Sequence, residues 1–419
     1  VIFTIGLFTS KEAGSSFSSA FNILAGTDEN GYSTTEDGSI SGVKKIDDHT
    51  IELVTKSPLA LSTLQGSVGI KLRTLPKHVL ENADFATIEQ NAFFQSPDVS
   101  SGPFKFAEHA TGQYVKLAAN ETYFKGAPKI DDLYFRITIT PQITTLLETG
   151  EIDLTDAESS SPVEDYERIK ANPDLVATSI NSINANQVLF INNEVISDSR
   201  VRKAINLAID RSLIVDGLLG GEGEAAESLY IKSSPYFNPK FEKSSYDPEE
   251  AKRLLAEAGW DPNTVIEFTI PTGNSVREQA GEIVAANLEA VGIKTEIVKL
   301  DFATSLANGR AHDFELTIIG PGVNPLDPNF TNILSSNGSF NLGLYKNSEV
   351  DQLLQDGINA VDEEGKKEIY YQIQEILAED VPVLALYQLK NLNVTSKRVT
   401  YGESKAFGMY IDAHLWDVD

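Results

Sequence analysis

The stretch Val188–Gly221, VLFINNEVISDSRVRKAINLAIDRSLIVDGLLGG, predicts a strand, a turn and two short helices. Val188 to Asn192 is an apolar run closed by Asn192-Asn193, and Asp198 or Ser199 can accept hydrogen bonds from the first free N–H groups of a helix. In that helix Val201, Ala204, Ile205, Ala208 and Ile209 recur at i, i+3, i+4, i+7 and i+8. One stripe is therefore buried, and Arg200, Arg202, Lys203 and Asn206 face outward or towards a neighbour. Asp210 caps the second helix, which stops at Gly220-Gly221.

At 419 residues the chain exceeds what one core supports, so two or three domains are expected at roughly 100 to 200 residues each. Sixty-one acidic residues against 34 basic ones leave a formal charge of −27, which opposes phosphate backbones and anionic lipid surfaces alike. Nucleic acid is not an expected partner. Cysteine is absent, which removes disulfides, thiolate catalysis and Cys-based metal sites together. No apolar run approaches the roughly 18 residues of a spanning helix; even LEAVGIKTEIVKL is broken by Lys and Glu. The chain opens at Val1 inside the amphipathic pattern VIFTIGLFTS, which predicts that the numbering starts within a longer precursor.

Outward from the opening stretch, GVKKIDDHTIELVTKS reads as a hairpin turning at Asp47-Asp48, and a short helix follows Leu75-Pro76. The segment 100–137 gives strand, Gly turn, strand, an aromatic loop and a further strand. In the second half, Asp247-Pro248-Glu249-Glu250 opens a helix with a cap, a first-turn proline and a glutamate to return the cap, and Gly259 closes it. Strand Val265 to Pro271, helix Ser275 to Val291, strand Ile293 to Leu300, helix Phe302 to Asn308 and strand Asp313 to Ile319 follow. Such alternation implies βαβ units and a mostly parallel sheet. Two long helices, Ser348 to Ala360 and Glu363 to Glu379, precede the strand Pro382 to Tyr387; the charges Glu363, Glu364, Lys366, Lys367 and Glu368 are expected to be solvated.

In an open parallel sheet, ligands sit beyond the carboxyl ends of the strands. The strand at Phe314–Ile319 runs into Gly320-Pro321-Gly322-Val323-Asn324-Pro325-Leu326-Asp327-Pro328, whose three prolines and two glycines make a stiff loop with an approachable backbone. A rigid connector has the same composition. Catalytic motifs are missing: there is no Gly-x-Ser-x-Gly, His-Glu-x-x-His, Walker loop or Gly-x-Gly-x-x-Gly. The carboxylates Asp131, Asp132, Asp153, Asp156 and Glu158 read as surface groups, a glycosidase being the remote alternative. The five histidines, His49, His78, His109, His312 and His414, lack ligand spacing. No enzyme activity, metal or cofactor is expected.

Several stretches resemble the extracytoplasmic solute-binding proteins of peptide, dipeptide and nickel ABC transporters, family 5. They are Phe190-x-Asn192 with Arg200-Val201-Arg202-x-Ala204-x-x-x-Ala208-Ile209-Asp210-Arg211, then Ser101-Gly102-Pro103-Phe104-Lys105-Phe106, Tyr123-Phe124-x-Gly126-x-Pro128, and Leu146-Leu147-x-x-Gly150-Glu151-Ile152-Asp153. The resemblance implies an α/β, two-lobed periplasmic-binding-protein-like fold of type II, the large three-subdomain form, with mixed sheets and a hinge between lobes. Residues 1–185 with 386–419 would form lobe I, its N-terminal portion missing from this chain, and 186–385 lobe II. The implied function is a receptor that captures an oligopeptide or dipeptide and delivers it to ABC permease subunits, as a monomer, in the periplasm or lipid-anchored outside the cell membrane. A nickel chelate, an oligosaccharide or a signalling peptide are the alternative ligands.

The same resemblance makes the loop line the ligand cleft, with Gly320, Pro321, Gly322, Val323, Asn324, Leu326 and Asp327 as contacts and Tyr345 of Asn341-x-Gly343-x-Tyr345-x-Asn347 at the rim. Related peptide receptors carry an aromatic and an acidic residue where Pro321 and Asn324 stand, the acid pairing with the peptide amine. Asn324 can accept a hydrogen bond but supplies no charge. Asp327 is the alternative acid, or a turn residue.

Overall fold

The computed structural model describes residues 1–155, 163–181, 186–241, 243, 245–322, 326–400 and 409–419. It divides into two compact units, Val1–Ile180 with Asn391–Asp419 and Asn181–Lys390. In the first unit the expected hairpin pairs Val43–Lys45 with Ile51–Leu53, antiparallel. Asp47 at its turn accepts the His49 N–H at 2.7 Å. The helix Ile2–Phe8 buries Ile5 and Phe8 against Phe21 and Leu24. Further on, Phe104–Ala110, Tyr114–Ala119 and Asp132–Arg136 form a three-stranded antiparallel sheet, turned at Gly112 with φ of 72°. Its Phe104 packs with Met409 and Trp416.

The second unit carries strands β1 (Gln187–Ile191), β2 (Gly223–Ala225), β3 (Val265–Pro271), β4 (Lys294–Leu300), β5 (Leu316–Ile319) and β6 (Val383–Ser396, whose last residues belong to the first unit). Its helices are α1 (Ser199–Ala208), α2 (Pro248–Ala258), α3 (Ser275–Ala290), α4 (Phe302–Arg310), α5 (Ser348–Asn359) and α6 (Glu363–Asp380). The strand order is β4-β3-β5-β1-β6, with β2 paired to β6. β3, β4 and β5 are parallel, as their connecting helices require, but β1 runs antiparallel to both β5 and β6. The sheet is therefore mixed rather than mostly parallel. Strand–helix alternation governs only β3-α3-β4-α4-β5; no crossover helix joins β5 to β1, so that pairing was free to take the opposite sense.

Local chemistry explains the helix ends. Asp247 accepts the Glu250 N–H at 3.0 Å, Pro248 opens α2, and Gly259 closes it in the left-handed region at φ 69°. The expected return bond from Glu250 does not form. The Asp247 N–H already donates to Leu207 O at 2.8 Å, and the Glu250 carboxylate pairs instead with Arg253. Asp198 caps α1 by accepting the Arg200 N–H, and after Asp210 the chain takes a wide π-type turn, Leu213–Leu218, rather than a regular second helix.

The signature residues of the opening stretch turn out to be ties. Asn192 donates through Nδ2 to Phe314 O at 3.0 Å, and Asn193 donates to Ile191 O, Gly343 O and Pro382 O. Arg202 is buried and donates to the carbonyls of Ile196, Ser197, Asp380 and Val381. Five guanidinium N–H groups in a planar fork suit such a cluster of carbonyls, which lysine could not satisfy. A Cβ placed on Gly343 would lie 2.2 Å from Ile191 O, so the backbone there admits only glycine. Gly343→Ala is expected to destabilise the protein by about 1–3 kcal/mol in denaturant unfolding. Gly217→Ala, where nothing lies within 4 Å, should be near neutral; equal effects at the two positions would refute the steric account.

One charge expected in solvent is not there. Glu363, Glu364 and Glu368 are exposed, yet Lys366 is fully buried. It shares the inner stripe of α6 with Tyr370 and Ile373 at i+4 and i+7, so helical period overrode side-chain polarity.

Candidate functional site

The carboxyl ends of β3, β4 and β5 lie along one edge of the sheet, and antiparallel β1 begins at the same edge, since Ile319 pairs with Val188. Tyr387 of β6 stands opposite Gln187 there. Just beyond β3, Asn274 caps α3 by accepting the Arg277 N–H at 2.9 Å, which places Arg277 in the first turn of that helix. Its guanidinium lies 5.3 Å over the ring of Phe302, the first residue of α4. Arg277 Nε donates to Gln187 Oε1 in a long bond of 3.4 Å. Burial lowers the Arg277 pKa, with Tyr387 and Glu278 opposing, and from so high a starting value the group stays cationic at neutral pH. Among the described residues no ion pair engages it, leaving a half-buried cation with a neutral amide for a partner.

The loop after β5 meets this group. Gly320 and Gly322 are exposed, Pro321 is buried, and a Cβ on Gly320 would come within 2.4 Å of Gln187 Nε2. Leu326 is 44% exposed. Val323 and Asn324 lie outside the described residues.

Asp327 and Tyr345 are placed differently. Asp327 is 4% exposed; Lys366 Nζ is 2.9 Å from its Oδ1, and the Tyr370 hydroxyl donates to the same oxygen at 2.6 Å. Tyr345 is 6% exposed and its hydroxyl donates to Asp380 Oδ2 at 2.6 Å. Burial pushes the Tyr345 phenol up, reinforced by Asp380. Both groups are committed to partners within the second unit.

Elsewhere, Asp132 pairs with Lys116 and Asp153 with Arg398, while Asp156 and Glu158 lie outside the described residues. His414 is buried beside Tyr123, with ring centroids 5.3 Å apart, whereas Phe124 is exposed. No group of three or more His, Asp or Glu side chains that could hold a metal occurs among the described residues. Among them, too, no helix is long and apolar enough to cross a membrane.

Sequence reasoning missed Gln187, Arg277 and Phe302. One signal was available for Arg277: the N-cap asparagine that follows β3 puts it in the first turn of α3, at the carboxyl ends of the strands.

Residues 1–341 match the bacterial extracellular solute-binding proteins, family 5. The chain belongs to that family of solute-binding proteins. The oligopeptide-binding protein AppA of Bacillus subtilis is 34% identical over 344 residues, 76% of this chain and 61% of that protein's length, so the chain spans less than two thirds of this relative. Heme-binding protein A of Haemophilus influenzae is 27% identical over 389 residues, 89% of this chain and 70% of that protein. The solved structure of AppA from Bacillus subtilis in complex with a nonapeptide superposes with a TM-score of 0.77 at 25% identity, covering 100% of this chain and 82% of that one.

Proposed function

We propose that the chain is the substrate-binding receptor of an ABC import system, which captures an oligopeptide or dipeptide between two lobes and delivers it unchanged to membrane permease subunits. The lobes are 1–185 with 386–419 and 186–385, and the receptor acts as a monomer on the outer side of the cell membrane, in the periplasm or held by a lipid anchor. The observation that carries this proposal is the edge of the second unit's sheet, where exposed Gly320 lies against Gln187, the amide that holds Arg277, a cation in no ion pair among the described residues. Backbone groups on a stiff loop can pair with an extended peptide, and a half-buried guanidinium suits a carboxylate. Gly320, Pro321, Gly322, Val323, Asn324 and Leu326 are the proposed contacts; Asp327 and Tyr345 support them.

Mass spectrometry of ligand released from the purified protein tests the class directly. Peptides are expected, and stoichiometric heme, nickel or an oligosaccharide in their place would overturn the proposal. Asn324→Asp should then raise affinity for peptides with a free amino terminus about tenfold, since a charge-assisted bond is roughly twice as strong as a neutral one. N-acetylated peptides should gain nothing. An unchanged or weakened affinity for free-amine peptides would place Asn324 away from the ligand amine.

A further inference from the structure

The buried pair Asp327–Lys366 sits where the ligand loop rejoins the body of the second unit. Both side chains are almost wholly removed from water, 4% and 0% exposed, with Nζ 2.9 Å from Oδ1. Tyr370 donates its hydroxyl to that same oxygen. The ammonium also lies 5.7 Å from the Tyr370 ring and 6.0 Å from the Tyr236 ring. Tyr230 packs on Tyr370 from one side and on Phe330 from the other, at 5.6 and 4.9 Å between centroids. Phe330 itself is held in the left-handed region at φ 51°, at the start of the turn Thr331–Leu334.

A buried ion pair is a poor way to gain stability, because well-packed apolar residues of similar volume serve as well or better. Its distinguishing property is geometric: an apolar contact can slide, whereas an ammonium shared between one carboxylate oxygen and two ring faces has a single position. The pair joins α6, deep in the core, to the residue that directly follows Leu326. At the other end of the loop, Ile319 is fixed by pairing with Val188. Ile319 before the loop and Asp327 after it are therefore both fixed.

We propose that Asp327, Lys366 and Tyr370 form a positioning device that holds the chain at Leu326–Asp327, where the ligand loop ends, so that ligand affinity depends on a charge pair touching no ligand. Ordering the backbone of a residue costs about 1–2 kcal/mol, and residues held in place beforehand spare the ligand that cost. The proposal rests on the loop facing ligand, as set out under the proposed function.

The test is the full chain carrying Asp327→Asn with Lys366→Met, beside Lys366→Met alone and Lys366→Arg. Lys366→Met alone strands a buried carboxylate and should lower the thermal midpoint; the double variant should recover most of that loss. Hydrogen exchange is then compared at the amides of 326–331. In the double variant these should exchange about tenfold faster, with β3 and α5 unchanged, while Lys366→Arg stays near wild type. A pool of synthetic tri- to nonapeptides with free termini supplies the second readout, its dissociation rate being expected to rise about tenfold at nearly constant association rate. Unchanged exchange at 326–331 overturns the device whatever binds. Faster exchange with an unchanged peptide dissociation rate overturns its role in ligand affinity. Faster exchange in a protein whose wild type binds none of the pool supports the pinning and overturns the peptide proposal instead.

Discussion

Arg211→Leu should unfold the second unit at markedly lower denaturant, with a loss of about 3–5 kcal/mol. Arg211 is 2% exposed and lies 3.6 Å from Glu227, itself 6% exposed. Its guanidinium donates to Ala226 O at 2.9 Å, to Ala385 O at 3.0 and 2.8 Å, and to Asn206 Oδ1 at 2.7 Å. Burial lowers the Arg211 pKa and Glu227 opposes it. Leucine in that place removes the countercharge from a carboxylate that cannot reach water, and leaves the Ala385 carbonyl with two fewer donors. Glu227 would keep only the Ser245 hydroxyl on Oε2, for its Oε1 already lacks a hydrogen-bond partner among the described residues. At roughly 2–4 °C per kcal/mol for a unit of this size, the thermal midpoint should fall by about 10 °C.

Two controls separate charge from volume. Adding Glu227→Gln to Arg211→Leu should restore a large part of the loss, because the stranded charge goes with it. Arg253→Leu should scarcely move the midpoint, since Arg253 meets Glu250 and Glu257 on an exposed helix face. If Arg211→Leu and Arg253→Leu melt alike, the buried fork does not hold β6 in the way described.

Arg211 also shows where sequence stops being legible. Its place in the signature was visible, and so were the cap at Asp198 and the stop at Gly220-Gly221, because caps and turns depend on neighbours a few residues away. The helix from Pro248 to Ala258 was readable to its last residue for the same reason. What Arg211 binds was not readable, since Ala385 is 174 residues distant in sequence. Lys366 was misjudged because its type outweighed its position; the stripe it shares with Tyr370 and Ile373 pointed inward all along. The antiparallel sense of β1 rested on a pairing with no connecting element to constrain it. The loop after β5 stood out by its prolines and glycines, which mark a stiff loop but name no ligand. Arg277 carried only the signal of its N-cap asparagine, as its partners Gln187 and Phe302 come from other strands and helices, brought together only by the sheet edge.

Under the proposed function, Arg277 should decide how a peptide's carboxyl terminus is held. Arginine carries five N–H donors, and among the described residues a single long bond to Gln187 uses one of them. The ring of Phe302 holds the guanidinium plane without consuming a donor. Such a group is ordered in advance and largely unspent, which lowers the cost of binding a planar anion. Arg277→Met keeps much of the packing on Phe302 and removes the charge. It should weaken binding of peptides with a free carboxylate by about 10- to 100-fold, from the roughly 1.5–3 kcal/mol of a hydrogen bond to a charged group. The amidated forms of the same peptides should lose far less, so that discrimination between acid and amide collapses. Arg277→Lys should fall between, keeping the charge but not the paired geometry. Stability should change little in either variant, because no buried countercharge is stranded. Calorimetric titration of acid and amide pairs gives the answer: equal losses for both forms would mean that Arg277 merely packs at the edge, and that the carboxylate, if bound, is held elsewhere.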